Sequence, residues 1–232
     1  MIWDFLTKSA WERKVKSLAK NAPAEMKSFY ENSVVNFKED IEKYTIAAID
    51  LETTGLDFEK DEILSIGCVD LGDDTLDLSS CFYDLVKPTH NEITEENIVI
   101  HGITHDQIKN AANIEEQLAG WLNVLEGKVL LAHHAAVELN FMNNACQKVF
   151  KHPFSMPFID TLLLEKNYLI RQYQGIKDGQ LRITKCRDRY NLPRYPAHHA
   201  LKDAISCGEL FLAQKQHRYH KTPISHVVQT SF

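Results

Sequence analysis

Thr45-Ile-Ala-Ala-Ile-Asp-Leu51 is a nearly unbroken apolar run of strand length, the pattern of a strand covered on both faces. It predicts the central strand of a sheet. Ile63 to Leu71 and Leu76 to Val86 come next, separated by Gly72-Asp73-Asp74, and with the first run they predict an antiparallel meander of three strands. Asn113 has Glu116 three residues on, and Gly127 stands just past the segment's end. A capped helix from Asn113 to Glu126 is expected. Lys128 to His133 reads as a second buried strand. Leu139, Met142, Cys146 and Val149 recur at helical spacing within 135–150. A short strand at Pro157 to Asp160, a helix from near Thr161, a basic helix near Asp178 to Tyr190 and a last helix from about His199 to Gln214 complete the pattern. The fold class is therefore α/β: a mixed sheet, three antiparallel strands plus parallel ones, flanked by helices.

Ahead of this pattern, Trp3 to Leu18 and Glu25 to Ile41 favour helix and are broken by Asn21-Ala22-Pro23. Residues 1–43 are read as a helical N-terminal arm, 44–215 as the main domain and 216–232 as a flexible C-terminal tail.

Composition narrows the class without naming a function. The 232 residues are 44% hydrophobic and 25% charged, ordinary globular proportions. Uncharged stretches such as Val129 to Val137 fall far short of the ~20 residues of a membrane span. The first residues, with Asp4 and Lys8, offer no apolar core for a secretory signal. Five cysteines, an odd number without a Cys-x-x-Cys pair, read as reduced thiols. A cytoplasmic location is the expectation. A net charge of −6 argues against coating nucleic acid by bulk electrostatics. Locally the balance reverses: Arg171 to Arg194 holds seven basic residues against two acids, interleaved with Tyr173, Tyr190 and Tyr195. That mixture suits phosphate contact with base stacking, and equally a solvated helix face with core tyrosines.

Three segments carry candidate chemistry. In Asp50-Leu-Glu52-Thr-Thr-Gly55, alternation along a strand puts Asp50 and Glu52 on one side, about 7 Å apart. Like charges that close call for a cation, although acid-x-acid also ends many ordinary strands. Thr and Gly after them offer hydroxyls and close backbone approach to a phosphate or sugar. In Ala132-His-His-Ala-Ala-Val-Glu138, a buried strand runs into a helix, where sites of open α/β sheets lie. Glu138 can look back at Asp50 from there, or be a surface helix residue; His133 and His134 fit a core histidine and a capping residue as well as a site. In His198-His-Ala-Leu-Lys-Asp203, five steps of 100° leave the outer pair 140° apart on a helix, so His198 must precede the helix if the two cooperate.

Asp-x-Glu-Thr-Thr-Gly, Ala-His-x-Ala-x-x-acid and His-x-Ala-x-x-Asp-Ala in that order resemble the motifs of the DEDD superfamily of 3′-to-5′ exonucleases, histidine subclass, which includes the proofreading subunit of bacterial replicative polymerase. The resemblance covers about residues 45–215, and Ile100-His101-Gly-Ile-Thr104 and Ile159-Asp160-Thr161 also resemble segments of that family. It implies a ribonuclease-H-like fold and hydrolysis at the 3′ end of DNA, with 3′ trimming of RNA, or weakly catalytic service as a polymerase accessory subunit, as the alternatives. By the family's pattern Asp50, Glu52, Asp203 and Glu138 hold two Mg²⁺ or Mn²⁺ ions and His198 is the general base. Thr53, Gly55, Leu56 and His101 match positions that contact the terminal nucleotide. Two positions depart: the fourth acid is normally aspartate after a bulky aromatic, where this chain has Val137-Glu138, and His134 replaces the usual asparagine. The partners implied are a nucleic acid 3′ end and a polymerase subunit. Gln229-Thr-Ser-Phe232 resembles part of a sliding-clamp-binding peptide, without its full spacing, and equally a plain tail.

Overall fold

A computed structural model describes residues 2–33, 35–72, 74–90, 93–172, 175–219 and 222–230, with side chains from Trp11 onward. Two helices, α1 (Ile2–Asn21) and α2 (Ala24–Asn32), lead into β1 (Ile46–Thr53), β2 (Ile63–Gly72) and β3 (Thr75–Leu85). Then come α3 (Glu95–His101), α4 (His105–Lys109), α5 (Ile114–Leu125), β4 (Val129–Ala132), α6 (Ala136–Phe150), β5 (Pro157–Asp160), α7 (Thr161–Gln172), α8 (Ile183–Arg189), α9 (Ala200–Gln214) and β6 (Val228–Thr230).

One sheet has the order β3-β2-β1-β4-β5-β6. The antiparallel meander β1–β3 and the parallel pairs β1·β4 and β4·β5 are as the hydrophobic pattern requires. Ile46 to Ile49 are buried because helices cover both faces of β1, which is why that run carries no alternation. The three parallel strands end on the same side, and Asp50 and Glu52 lie at that end of β1.

Helix α9 fixes the layer above β1 and β2. A Cβ at Gly67 would collide with the backbone of Ala200 and Leu201, so glycine there lets the start of α9 lie directly on the sheet. Gly67 is the register partner of Asp50. The first turn of α9, with Asp203, is thereby brought over Asp50.

Four expectations differ from the structure. The N-terminal arm, read as a unit ahead of the main domain, shares that domain's core: Trp11, Val15, Met26, Phe29 and Tyr30 are buried with the sheet. Its second helix stops at Asn32 and not Ile41, and a single 3₁₀ turn occupies Ile41–Lys43. The segment expected as a flexible tail from 216 instead carries buried Ile224 and Val227 and pairs β6 with β5; Ser231 and Phe232 of the clamp-like peptide lie outside the described residues. The basic helix expected over 178–190 is confined to Ile183–Arg189, because Gly179 takes a left-handed φ of 73° and Arg182 stands at the extended N-cap. All five cysteines are free thiols. Among the described residues no helix is long and apolar enough to cross a membrane.

Candidate active site

Strand β1 delivers Asp50 and Glu52 to one face, and a register irregularity between Glu52 and Thr53 ends the regular pairing just after them. The chain then turns tightly. Thr53 Oγ1 donates to the Gly55 carbonyl at 2.6 Å, and Thr54 Oγ1 to Asp61 Oδ1 at 3.0 Å. The Asp61 carboxylate fills the space a Cβ of Gly55 would need. The close approach that glycine permits here is thus made first from within the chain. Leu56, next in the turn, is 84% exposed.

Three elements converge on the two acids. Asp203, in the first turn of α9, accepts the backbone N–H of His198 at 2.7 Å and of His199 at 3.1 Å. Carboxylate oxygens of Asp50, Glu52 and Asp203 lie within 4.8 Å of one another. Helix α3 is anchored to the β1 turn by Asn97 Nδ2 donating to the Thr54 carbonyl at 3.1 Å, and the His101 ring at its end pairs through Nδ1 with Glu52. His198 precedes α9 in a left-handed conformation, φ 67°, as the helical-wheel argument requires. Its exposed ring stands 6.0 Å from that of His101, and Glu52, His101 and His198 form a second group of donors within 4.8 Å.

Glu138 enters from the first turn of α6. It is buried, and its Oε2 has no hydrogen-bond partner among the described residues. Burial pushes its carboxyl up to about 8, with Asp160 adding to the rise. Asp50 is driven well above the ordinary carboxylate range by burial, then by Glu138, Glu52 and Asp203. Burial likewise raises Asp203, against the lowering effect of the backbone N–H groups of His199 and His198. Negative charge gathered without compensation in a dry place is what a bound cation relieves. The donors of the Asp50, Glu52 and Asp203 group are all oxygens, which suits a hard divalent ion, and an unpartnered buried Glu138 oxygen fits a ligand position. Asp50, Glu52, Asp203 and Glu138 are the residues that could hold such ions.

Two motif histidines take other places. His133 is a core histidine, its ring nitrogens 2.8 Å from Thr161 Oγ1 and from the Leu181 carbonyl, and burial lowers its pKa. His134 turns the chain between β4 and α6 at φ 80°.

Two further residues act as supports, one within the Ile159-Asp160-Thr161 segment and one that the sequence does not signal. Asp160, at the end of β5, is 2% exposed and accepts N–H groups of His134, Ala135, Leu162 and Leu163, tying the turn before α6 to the start of α7. An acid directly before a helix is a legible capping signal. Tyr83 of β3, level with Gly67 in register, stacks on His199 with ring centroids 4.8 Å apart. No sequence signal links two residues 116 positions apart.

The sequence model of the RNase_T family, described as an exonuclease, matches residues 47–211. A PolC-type DNA polymerase III of Thermotoga petrophila is 32% identical over 179 residues, 77% of this chain and 12% of that protein. A DNA polymerase III subunit epsilon of Treponema pallidum is 30% identical over 176 residues, 76% of this chain and 79% of that one. The chain thus spans only about an eighth of the PolC-type polymerases it matches. Among solved structures, the nuclease domain of 3′hExo, described as a DEDDh family member bound to rAMP, superposes with a TM-score of 0.65 at 21% identity, covering 77% of this chain and 95% of that one. That likeness confirms a ribonuclease-H-like fold.

Proposed function

The chain belongs to the RNase_T exonuclease family, and from that premise we propose that it is of the histidine subclass of DEDD exonucleases and removes nucleotides from the 3′ end of DNA, with His198 as general base. The observation that carries the reading is the meeting of Asp50, Glu52 and Asp203 from β1 and α9 beside an exposed histidine, with Glu138 of α6 close enough to raise Asp50. Such convergence of costly buried carboxylates has no structural use that a hydrophobic packing would not serve better.

Each residue then has a part. Asp50, Glu52, Asp203 and Glu138 hold two divalent ions, Mg²⁺ or Mn²⁺. When bound, the ions supply Lewis-acid stabilisation of charge on the phosphodiester and a more acidic attacking water. His198, exposed beside the carboxylates, would take the proton of the attacking water. The Asp203 carboxylate accepts the backbone N–H groups of both His198 and His199, so base and acid keep one relative position. Thr53, Gly55 and His101 line the place of the terminal nucleotide, and exposed Leu56 stands where an apolar wedge meets its base. The epsilon name of the Treponema relative supports a polymerase as partner.

The test is to give the protein single-stranded DNA, duplex DNA with a mismatched 3′ end and RNA, each labelled at one end, under Mg²⁺ and Mn²⁺. Stepwise loss of 3′ nucleotides from DNA, abolished by chelation, is expected. Release from the 5′ end, or faster cleavage of RNA than DNA, would overturn the direction or the substrate.

A further inference from the structure

The basic run divides sharply once folded. Arg187 is buried and donates to the carbonyls of Pro193 and Ser206 and to Glu209. Arg189 is held by the Gln180 carbonyl and buried Glu165, and Arg194 binds Asp188 through two nitrogens. Tyr190 and Tyr195 are likewise tied to Glu165 and Glu209. These serve the fold. Lys177 and Arg182 do not: both are exposed, and neither has an ion-pair partner among the described residues.

Lys177 and Arg182 line one open groove together with a third exposed cation, Lys166 of α7, and with His133 and His134. The groove continues past Asp178 and Arg182 to Lys185. Lys185 lies 3.7 Å from Asp188, a carboxylate already engaged by Arg194. Four cations thus line one surface of a chain whose net charge is −6, against Asp178 alone as an acid not taken up by arginine. The groove starts at the β4–α6 turn, where His134 donates its N–H to Asp160 and Glu138 comes one helical turn later. Because β4 runs parallel to β1 with Leu131 beside Ala48, that turn lies at the same end of the sheet as Asp50 and Glu52.

We propose that this groove is the track for the phosphodiester backbone of the strand upstream of the scissile bond, with Lys166, Lys177, Arg182 and Lys185 contacting successive phosphates. The proposal rests on the exonuclease reading. It explains how an acidic protein keeps a polyanion: the terminal nucleotide sits on the Leu56 side, the strand crosses the carboxylates, and the cations hold the upstream phosphates. Lysine and arginine on mobile stems read charge and not base, so the grip is independent of sequence. It is also independent of sugar, because no part of it depends on a 2′-hydroxyl.

The experiment compares a one-nucleotide substrate, the p-nitrophenyl ester of thymidine 5′-monophosphate, with the oligomer dT12. The test variant is Lys177→Glu with Arg182→Glu. Lys16→Glu with Lys20→Glu, on exposed positions of α1, makes the same change in net charge away from the groove. With dT12 the test variant should raise KM at least about tenfold, and log(kcat/KM) should fall less steeply with log salt by roughly 1.4, about 0.7 for each lost phosphate contact on a single strand. The preference for dT12 over the ester should collapse, while the α1 variant keeps wild-type values. Unchanged KM and salt slope in the test variant would overturn the track, as would an equal loss in the α1 variant. Fluorescence anisotropy of labelled dT12 and U12 in EDTA judges the groove separately from catalysis. Equal weakening on both strands is expected, and a loss on only one refutes backbone contact. If the wild type cleaves nothing, the exonuclease reading fails, and wild-type affinity in the test variant then removes the groove as well.

Discussion

Glu138→Gln should stabilise the metal-free protein at neutral and alkaline pH. The Glu138 carboxyl is 4% exposed, one of its oxygens has no partner, and burial pushes it from 4.5 up to about 8. For an acid whose pKa rises on folding, the associated stability is complete below the unfolded value of 4.5 and is lost as pH climbs through about 8. At pH 7 the unfolded chain has ionised this group and the folded chain has not. At 1.36 kcal/mol for each pH step, that gap is worth about 3 kcal/mol, growing to about 5 kcal/mol above pH 8. Glutamine has the same shape and never ionises, so it removes the loss.

The assay is urea unfolding of wild type and Glu138→Gln in EDTA from pH 4 to pH 9. The two should agree near pH 4 and diverge steadily above pH 5, with the variant the more stable by about 3 kcal/mol at pH 7. Saturating Mn²⁺ should reverse the order by stabilising the wild type more than the variant, since an ion bound only by the folded state adds RT ln(1 + [L]/Kd). Activity should fall by orders of magnitude at the same time. Parallel pH curves in EDTA would mean that Glu138 is solvated in the folded protein, and the argument for its place among the ligands would fail.

Three further outcomes are expected. His198→Ala should lose about 10²- to 10⁴-fold in kcat, the usual worth of a general base, with Mn²⁺ binding intact by calorimetry; near-normal turnover would move the role elsewhere. Tyr83→Ala removes the stack on His199, worth about 0.5–1.5 kcal/mol, and should lower kcat several-fold with KM unchanged while Tyr83→Phe restores it; a loss that Phe does not rescue would rule out the stack as cause. Glu165→Ala leaves Arg189 and Arg218 without their buried carboxylate and should cost about 3–5 kcal/mol in urea unfolding, whereas a cost below 1 kcal/mol would show that the arginines reach water.

What the sequence displayed was whatever one element decides by itself. The runs at 46–49 and 129–132 are apolar because both faces are covered, so their pattern announces strands without further context. The same-side placement of Asp50 and Glu52 comes from strand alternation, and the loop position of His198 from helix geometry. Helices α3 and α4 escaped notice because they are short, although Thr94 with Asn97 and Thr104 with Gln107 form reciprocal caps just as Asn113 with Glu116 does. The docking of α1 and α2 depends on partners far along the chain: Tyr30 donates to the Pro153 carbonyl, and Phe29 stacks on Phe154. β6 is three residues long and exists because β5 offers it an edge. Neither relation is encoded locally.

The two departures from the family's motif have physical accounts in the fold. The residue after His133 must turn the chain from β4 into α6 with φ near 80°. Asparagine, aspartate and histidine are the side chains enriched in that left-handed region, so His134 in place of asparagine keeps the backbone that delivers its N–H and that of Ala135 to Asp160. That bond fixes the start of α6, and with it the direction in which position 138 points. Val137 is only partly buried, packed against the main core, so the smaller side chain in place of an aromatic leaves α6 seated. Glu138 faces Asp50 closely enough to raise its pKa, which a solvent-facing helix residue would not do. A glutamate here brings a further carboxyl group toward Asp50 on a longer arm, from a helix whose origin is set by Asp160 and not by the acid itself.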